Sequence, residues 1–220
     1  KYCLLHCKHW KKQIERDNQI FNVYRKKNPQ NVLIDLSVLK NINCGLGQVA
    51  YNYGKYLKDH PIQDFTVSLL LPKEYFGAFG NHVKYIESKK IYRRHPRFLP
   101  PIDLWHSIHQ LSSFQPPHSV FNLLTIHDLN FVYEKQGKKV EKYMKKILKE
   151  IKYANKITVI SQFTKNDIHR IIRDDLDIEV IYNGVEQLNP KDELHPTFAI
   201  DETKPFLFTI GEIKPKKNFH

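Results

Sequence analysis

Residues 120–128, Val-Phe-Asn-Leu-Leu-Thr-Ile-His-Asp, join a short apolar run to a histidine and an aspartate. A run of this length without helical spacing is typical of a buried β-strand. Comparable runs occur at 32–36, 65–71, 103–107, 156–160 and 179–182, with a weaker one at 82–86. Apolar residues at helical spacing occupy 46–58, 162–173 and a lysine-rich segment between 135 and 156. Strands that alternate with helices predict an α/β fold, here a Rossmann-like doubly wound parallel sheet.

The composition excludes several classes of protein. Of the 220 residues, 41% are hydrophobic, which is enough for a core, and only eight Gly and twelve Pro argue against low complexity. No apolar run approaches the roughly 18 residues of a membrane span. The three cysteines, Cys3, Cys7 and Cys44, are too few for a disulfide framework, so we expect a reducing, cytoplasmic environment. Cys3 and Cys7, with His6 and His9 nearby, do not have a usual zinc spacing, so a metal site there is disfavoured.

Positive charge is concentrated in two segments of a chain whose formal net charge is +12. Residues 1–30 carry eight Lys and Arg against two acids, and 8–27 have the pattern of a helix, which predicts a basic helical extension. Residues 135–156 carry nine Lys against two Glu. The apolar residues of this second segment recur at helical spacing, so its lysines form either a solvated helix face or a face that contacts an anionic membrane.

The chain also predicts a domain boundary. Residues 31–188 contain the alternating elements, whereas 189–204 are polar and contain Pro190 and Pro196, which is typical of a linker. A new apolar run follows Pro205 and ends at Gly211. We therefore expect residues 205–220 to be the first strand of a truncated second α/β domain, since one strand cannot form a domain.

In an open parallel sheet, ligands bind beyond the carboxyl ends of the strands. The candidates there are Gly45, Leu46 and Gly47; His106; His127 and Asp128; Ser161 and Thr164; and Asn183 and Gly184. The glycines allow backbone N–H groups at a helix start to approach an anion, although a flexible loop and helix cap would also use them. The third glycine and the acidic residue of a dinucleotide site are missing, which disfavours an NAD(P) oxidoreductase.

The polar candidates also have structural interpretations. A neutral His127 suits the binding of sugar hydroxyls, but a single histidine in such a place is often structural. Asp128 either orients His127 or caps the following helix. Ser161 and Thr164 have the pattern of a helix N-terminal cap. His106 and His109 give a weaker functional signal than His127.

Six segments together resemble the GT-B glycosyltransferases, and most closely the retaining family 4, which includes mannosyl- and glucosyltransferases. They are Gly45-Leu-Gly47, Asp103-Leu-Trp-His106, Leu124-Thr-Ile-His-Asp-Leu129, Ile157-Thr-Val-Ile-Ser-Gln-Phe-Thr164, Val180-Ile-Tyr-Asn-Gly-Val185 and Gly211-Glu-Ile-Lys-Pro-Lys-Lys-Asn218. Each segment is loose by itself, but all six occur in the family's order. The resemblance extends from about residue 31 to the end and does not include the first thirty residues.

The resemblance implies the acceptor-binding half of a two-domain enzyme that uses a GDP- or UDP-sugar as co-substrate. Gly45, Leu46 and Gly47 would face the donor diphosphate and sugar. His127, with Asp128, would act on the transferred sugar near its C6 hydroxyl. Lys217, with Lys216, would bind the departing pyrophosphate. Relatives often carry Arg at the position of Lys216, and the bidentate phosphate contact of an arginine would be lost with lysine there. His106, Ser161, Thr164, Asn183 and Gly184 would line the acceptor side of the cleft.

The resemblance also implies partners and a setting. The acceptor would be a sugar or a lipid-linked sugar in surface polysaccharide or glycolipid synthesis, on the cytoplasmic side of a membrane that the protein contacts peripherally. We see no Asp-x-Asp pair of the metal-dependent transferases, so we expect no metal cofactor. The paired glutamates that bind the donor in this family are missing from the sequence, so we expect this chain to be inactive alone.

Two alternatives come from other classes. The +12 charge and the basic extension suit a non-catalytic module that binds nucleic acid or anionic lipid. The basic segments lack interleaved aromatic residues, however, and no standard nucleic-acid motif is present, so we expect no specific nucleic-acid partner. A sugar-nucleotide epimerase of the same two-domain architecture is the other alternative.

Overall fold

A computed structural model describes residues 30–184 and Pro205. The seven strands are β1 (Gln30–Asp35), β2 (Phe65–Leu71), β3 (Lys84–Glu87), β4 (Leu104–Ser107), β5 (Phe121–Ile126), β6 (Lys156–Val159) and β7 (Ile178–Val180). The α-helices are α1 (Gly45–Asp59), α2 (Ile91–Arg94), α3 (Asn130–Glu134), α4 (Lys138–Tyr153) and α5 (Gln162–Ile171). Short 3₁₀ helices occupy Ser37–Asn41, Lys73–Tyr75 and Pro96–Phe98.

The seven strands form one sheet in the order β3-β2-β1-β4-β5-β6-β7, and every neighbouring pair is parallel. The chain adds strands outward from β1 on one side and then from β4 on the other, so the order reverses between these two strands. This is the doubly wound α/β fold that the sequence predicts.

Alternate residues of the strands pack on opposite faces of the sheet, as the pleat requires. In β1, Val32 and Ile34 pack in a core with residues of α1, whereas Leu33 packs on the other face with Trp105. A further core joins β5 and β6 to α4 and α5 through Leu124, Ile147, Ile157 and Ile168, among others. The sheet is therefore covered on both faces, which explains why its strands are nearly continuous apolar runs.

The helices begin and end close to the predicted positions. In α1, Ala50, Tyr53 and Leu57 are buried at helical spacing. In α4, Ile147 and Ile151 are buried, while seven lysines of the same helix are exposed. These lysines are Lys138, Lys139, Lys142, Lys145, Lys146, Lys149 and Lys152. The lysine-rich segment is thus a helix with one buried side and one basic side.

The main differences from the sequence prediction are one-turn helices. Residues 89–101, for which the sequence analysis predicts neither a strand nor a helix, contain α2 and the 3₁₀ helix Pro96–Phe98. The 3₁₀ helix Ser37–Asn41 lies between the predicted strand 32–36 and the predicted helix 46–58, and the short helix α3 precedes α4. Segments of three to five residues are too short to show a helical period, so periodicity does not detect them.

The chain divides into two compact units, Lys1–Val185 and Glu186–His220, and all the elements above belong to the first. The predicted helix at 8–27, the linker at 189–204 and the strand at 205–210 lie outside the described residues, apart from the exposed Pro205. Within residues 30–184, no helix has both the length and the apolar character needed to cross a membrane.

Candidate functional site

The carboxyl ends of all seven strands lie at the same edge of the sheet, because every strand runs in the same direction. The register places Asp35, the last residue of β1, beside Ser107, the last residue of β4. The strand order reverses between β1 and β4. The loops that follow these two strands lead to opposite sides, which leaves a crevice between them. The loops after β1, β4 and β5 therefore converge here. We call this the carboxyl edge.

His127 directly follows β5 at the carboxyl edge, and its side chain is only 7% exposed. Its Nε2 lies 2.8 Å from the backbone carbonyl of Ile108. Because a carbonyl oxygen only accepts, Nε2 carries the proton and donates it. No described group bonds to Nδ1, so this atom is the free acceptor of the ring.

Burial lowers the pKa of His127, and the nearby His109 lowers it further, while the bond to Ile108 and the charge of Asp128 raise it. Burial is the largest of these effects, so the ring is neutral at physiological pH. A neutral ring with a bound Nε2–H and a free Nδ1 accepts a hydrogen bond from a hydroxyl group. This is the chemistry that the sequence predicts for His127.

A buried glutamine fixes the backbone around His127. The Gln110 side chain accepts a hydrogen bond from the His127 backbone N–H at 3.0 Å and donates to the Asp128 carbonyl at 2.8 Å. The amide thereby satisfies two backbone groups of the loop after β5. Gln110 is a positioning residue that sequence reasoning missed, because no local pattern marks a contact between residues 17 or 18 positions apart.

Asp128 has a structural bond of its own. Its Oδ1 accepts a hydrogen bond from the Asn130 backbone N–H at 3.0 Å. This bond lies just before α3, whose N-cap residue is Leu129 without a side-chain cap, so it is a local turn contact and not the helix cap considered for Asp128. Asp128 acts on His127 only through its charge, which raises the pKa of that ring.

Ser161 and Thr164 form the N-terminal cap of α5. The Ser161 hydroxyl accepts from the Thr164 backbone N–H at 3.1 Å. The Thr164 hydroxyl is buried and donates to the His127 carbonyl at 2.9 Å. These hydroxyls therefore tie α5 to the loop that carries His127. Their assignment to the acceptor side of a cleft stays a prediction.

The glycine turn opens α1. Cys44 is the N-cap residue, and its Sγ accepts from the Gly47 N–H at 3.4 Å. A Cβ on Gly47 would lie 2.1 Å from the Asn41 carbonyl oxygen, so only glycine fits there. A Cβ on Gly45 would meet nothing within 4 Å. Packing therefore explains Gly47, whereas Gly45 lies exposed at the helix start with open space before it. Leu46 between them is half-buried.

His106 lies inside the protein. It belongs to β4 rather than following it, and its side chain is 4% exposed. Its Nε2 is 2.9 Å from the Thr125 hydroxyl, which in turn is 2.9 Å from the Thr158 hydroxyl. The ring also packs edge-on against Tyr53, with ring centroids 5.8 Å apart. Burial, together with the charge of His127, lowers the pKa of His106 to about 4. The structure therefore does not support its assignment to the cleft.

The buried Asp35 and the half-buried Ser112 form a pair at the carboxyl edge that sequence reasoning missed. The Ser112 hydroxyl donates to the Asp35 carboxylate, which is 1% exposed and also accepts from the Ser37 N–H at 2.9 Å. The Asp35 charge raises the pKa of His109, although burial outweighs it and the net change is downward. His109 Nδ1 accepts from the Leu111 N–H at 3.1 Å. The neutral ring therefore carries its proton on Nε2.

Of the remaining candidates, two lie among the described residues and two lie outside them. Asn183 and Gly184 are half-buried and follow β7, which ends at Val180, two residues before the predicted end. Lys216 and Lys217 lie outside the described residues.

One carboxylate pair needs a correction to the sequence analysis. Asp175 and Asp177 do form an Asp-x-Asp sequence. Asp175 pairs with Arg173, and Asp177 pairs with Lys156 at 2.6 Å, a contact that lowers the pKa of Asp177. Both residues precede β7 and lie at the amino edge of the sheet, opposite the candidate site. Across residues 30–184, no three His, Cys, Asp or Glu side chains are grouped as metal ligands.

In comparisons with known proteins, no protein-family model matches this chain, and no curated protein matches it either.

Proposed function

We propose that this domain is the acceptor-binding half of a retaining glycosyltransferase, which moves a sugar from a nucleoside diphosphate to an acceptor hydroxyl. One observation carries the proposal. A neutral histidine with a free Nδ1 and a glycine-opened helix start both lie at the carboxyl edge of a doubly wound parallel sheet. The resemblance of six segments to the GT-B family 4 enzymes supports the same function.

In the proposed reaction, the bond between the donor sugar C1 and the diphosphate oxygen breaks, and the diphosphate keeps the electron pair. The acceptor oxygen bonds to C1 on the same face, and its proton passes to the departing diphosphate. Negative charge therefore develops on the diphosphate. The N-terminus of α1 at Gly45 is suited to stabilise it, because the first N–H groups and the helix dipole favour an anion. Lys216 and Lys217 would add positive charge.

His127 would hold the sugar during this step. Its free Nδ1 accepts a hydrogen bond from a sugar hydroxyl, and its Nε2–H stays bound to Ile108. Gln110 fixes the backbone of the loop, so the ring is positioned before the substrate arrives. For His127 to raise the rate, its hydrogen bond with the sugar hydroxyl must be stronger in the transition state than in the bound substrate.

We also propose that α4 makes a peripheral contact with an anionic membrane on its cytoplasmic side, where surface polysaccharide or glycolipid is assembled. All seven lysines of α4 are exposed. Leu148 and Tyr153 on the same helix are also more than 40% exposed. Lysines attract anionic headgroups, and exposed apolar side chains insert between them.

The function is tested with the full-length gene product that contains this chain. UDP-, GDP- and ADP-sugars are supplied with a panel of sugar and lipid-linked sugar acceptors, and the released nucleoside diphosphate is measured. We expect one donor to be consumed faster when an acceptor is present. Conversion of a donor into an isomeric nucleotide sugar without any acceptor and without released diphosphate, detected by chromatography, would favour the epimerase instead. No consumption of any donor by folded protein would contradict the proposal.

The non-catalytic alternative has a separate readout. Salt-dependent binding to random oligonucleotides, unchanged in Gly45→Val and His127→Ala variants, would favour a basic binding module over the enzyme.

A further inference from the structure

A second feature of the carboxyl edge lies on the side of β1 that faces β2 and β3. Here a cavity of about 390 Å³ opens between the connections that follow β1, β2, β3 and β4. Its volume is within the range of small-molecule sites, roughly 300–1,000 Å³. None of the site candidates selected from the sequence lines it, although His109, which gave a weaker signal, does. We call it the β1–β4 cavity.

Cations reach this cavity from three different strand ends. Lys40 follows β1, Lys73 follows β2, and Lys90 and Arg93 follow β3. Among the described residues, none of the four is paired with a carboxylate. Unpaired cations that converge from separate elements repel one another, so their arrangement is stabilised when an anion is bound between them.

Arg93 is also held in place. Its guanidinium carbon lies 5.1 Å from the centre of the buried Phe114 ring, which lines the same cavity. An arginine stacked in this way keeps its donors in a fixed plane, which suits the oxygens of a phosphate group.

The cavity also contains groups that bind hydroxyls. Glu74 and Glu87 line it, and Glu87 is partly neutralised by Lys89 at 3.3 Å. The residues Ser37 and His109, the latter with a neutral ring, also line the cavity. Carboxylates and hydroxyls beside cations are the lining expected for a molecule that combines a phosphate with several hydroxyl groups.

His109 connects the cavity to the proposed reaction centre. Its ring lines the cavity and is close enough to His127 to lower the pKa of that residue. A ligand that spans the cavity from Lys73, Lys90 and Arg93 to His109 would therefore end on the side of the cavity that lies nearer to His127.

We propose that the β1–β4 cavity is the acceptor subsite and that the acceptor is a phosphorylated polyol, such as a sugar phosphate, either free or as the headgroup of a lipid. The role as an acceptor subsite rests on the proposed function. The binding of a phosphorylated polyol does not, because it needs no donor sugar.

The test is calorimetric titration of the full chain without any nucleotide sugar. The probes are a panel of hexose and cyclitol phosphates, each compared with its unphosphorylated parent, together with inorganic phosphate and a soluble short-chain isoprenyl diphosphate sugar. We expect one phosphorylated probe to bind about tenfold or more tightly than its parent. Tighter binding of a hexose or cyclitol phosphate indicates a free ligand. Tighter binding of the isoprenyl diphosphate sugar indicates a lipid headgroup.

Matched variants locate the binding. Lys73→Gln/Lys90→Gln removes two cavity cations, whereas Lys58→Gln/Lys84→Gln removes two exposed lysines, at the end of α1 and the start of β3, and the same amount of charge. The cavity variant should weaken binding about tenfold or more, and the control should leave it within about twofold. Equal losses in both variants, or no preference for any phosphorylated probe, would overturn the proposal. Phosphate binding in a protein without transferase activity would support the site and contradict only the proposed reaction.

Discussion

Gly45 and Gly47 lie two residues apart at the start of α1 and serve different purposes. A Cβ at Gly47 would collide with backbone atoms of Asn41 and Ile42, which cannot move away as a flexible side chain would. A Cβ at Gly45 would enter open space. The Gly-x-Gly pattern is therefore half structural, and only Gly45 is available for the close approach of a ligand.

This difference predicts opposite effects of two alanine substitutions on stability. Gly47→Ala should lower the free energy of unfolding by about 1–3 kcal/mol, because the added methyl group overpacks the turn. Gly45→Ala should leave it unchanged or raise it by about 0.5 kcal/mol, because alanine reduces the entropy of the unfolded chain. Urea denaturation of both variants measures these values. A Gly47→Ala protein as stable as the wild type would contradict the packing described for this turn.

Three neutral histidines, His106, His109 and His127, make stability depend on pH. The pKa of His106 is about 4 in the folded protein, against an ordinary value of 6.5. The unfolded chain therefore binds more protons between these pH values. The stabilisation is complete above pH 6.5 and is lost as the pH falls toward 4. The pKa values of His109 and His127 are also lowered, and these residues act in the same direction.

We expect His106 to account for a loss of about 2 kcal/mol in the free energy of unfolding between pH 7 and pH 5. A His106→Gln variant retains a polar group but does not titrate, so its decrease over the same range should be smaller by that amount. Urea denaturation at the two pH values provides the comparison. Parallel pH profiles for the two proteins would show that the His106 ring is not held neutral by burial.

Sequence reasoning succeeded unevenly at the scale of residues. It selected His127 because the histidine directly follows an apolar run. It did not select Gln110, Asp35 or Ser112, because their contacts join residues 17 to 77 positions apart. Such contacts form only when separate loops meet, and no local pattern encodes them. For His106, the predicted strand was right, but the direction of the side chain into the interior was missed.

At the scale of elements, α1 and α5 begin with caps of different quality. Ser161 caps α5 through its hydroxyl at 3.1 Å. Cys44 caps α1 through a sulfur atom at 3.4 Å, and sulfur is a weak acceptor. Serine is among the preferred N-cap residues, whereas cysteine is not.

The caps therefore predict two changes of opposite sign. Cys44→Ser should raise the melting temperature, because a hydroxyl accepts the Gly47 N–H more strongly. Ser161→Ala should lower the free energy of unfolding by about 1 kcal/mol, because the Thr164 N–H loses its partner. Thermal melting and urea denaturation measure the two effects. A Ser161→Ala protein of unchanged stability would remove the capping role and leave a ligand contact as the better explanation of this serine.

The strands were predicted more closely than any other element. β2 has the predicted bounds, and the other strands differ from their predictions by a few residues at most. A buried parallel strand is apolar on both faces, so its signal is strong even over four residues. The one-turn helices have no comparable signal, and three of them, the 3₁₀ helices Ser37–Asn41 and Lys73–Tyr75 and the helix α2, bring cations to the β1–β4 cavity. The cavity was therefore not predictable from the sequence.

At the scale of the whole molecule, the proposals concern one edge of the sheet and one helix face. The glycine turn, His127 and the β1–β4 cavity all lie at the carboxyl edge, where loops after β1 to β5 meet. The basic face of α4 is separate from the cavity cations, so their contributions can be removed independently. Positive charge in this protein therefore has at least two distinct locations among the described residues, and the net charge of +12 does not by itself indicate the ligand.

The most direct test of the central claim is the rate of sugar transfer by a full-length His127→Ala variant, compared with His60→Ala as a control. His60 is exposed at the end of α1, where its ring stacks on Tyr56. We expect the loss of His127 to reduce turnover by about 10²-fold or more while the control keeps the wild-type rate. A folded His127→Ala protein that transfers sugar at nearly the wild-type rate would contradict the account.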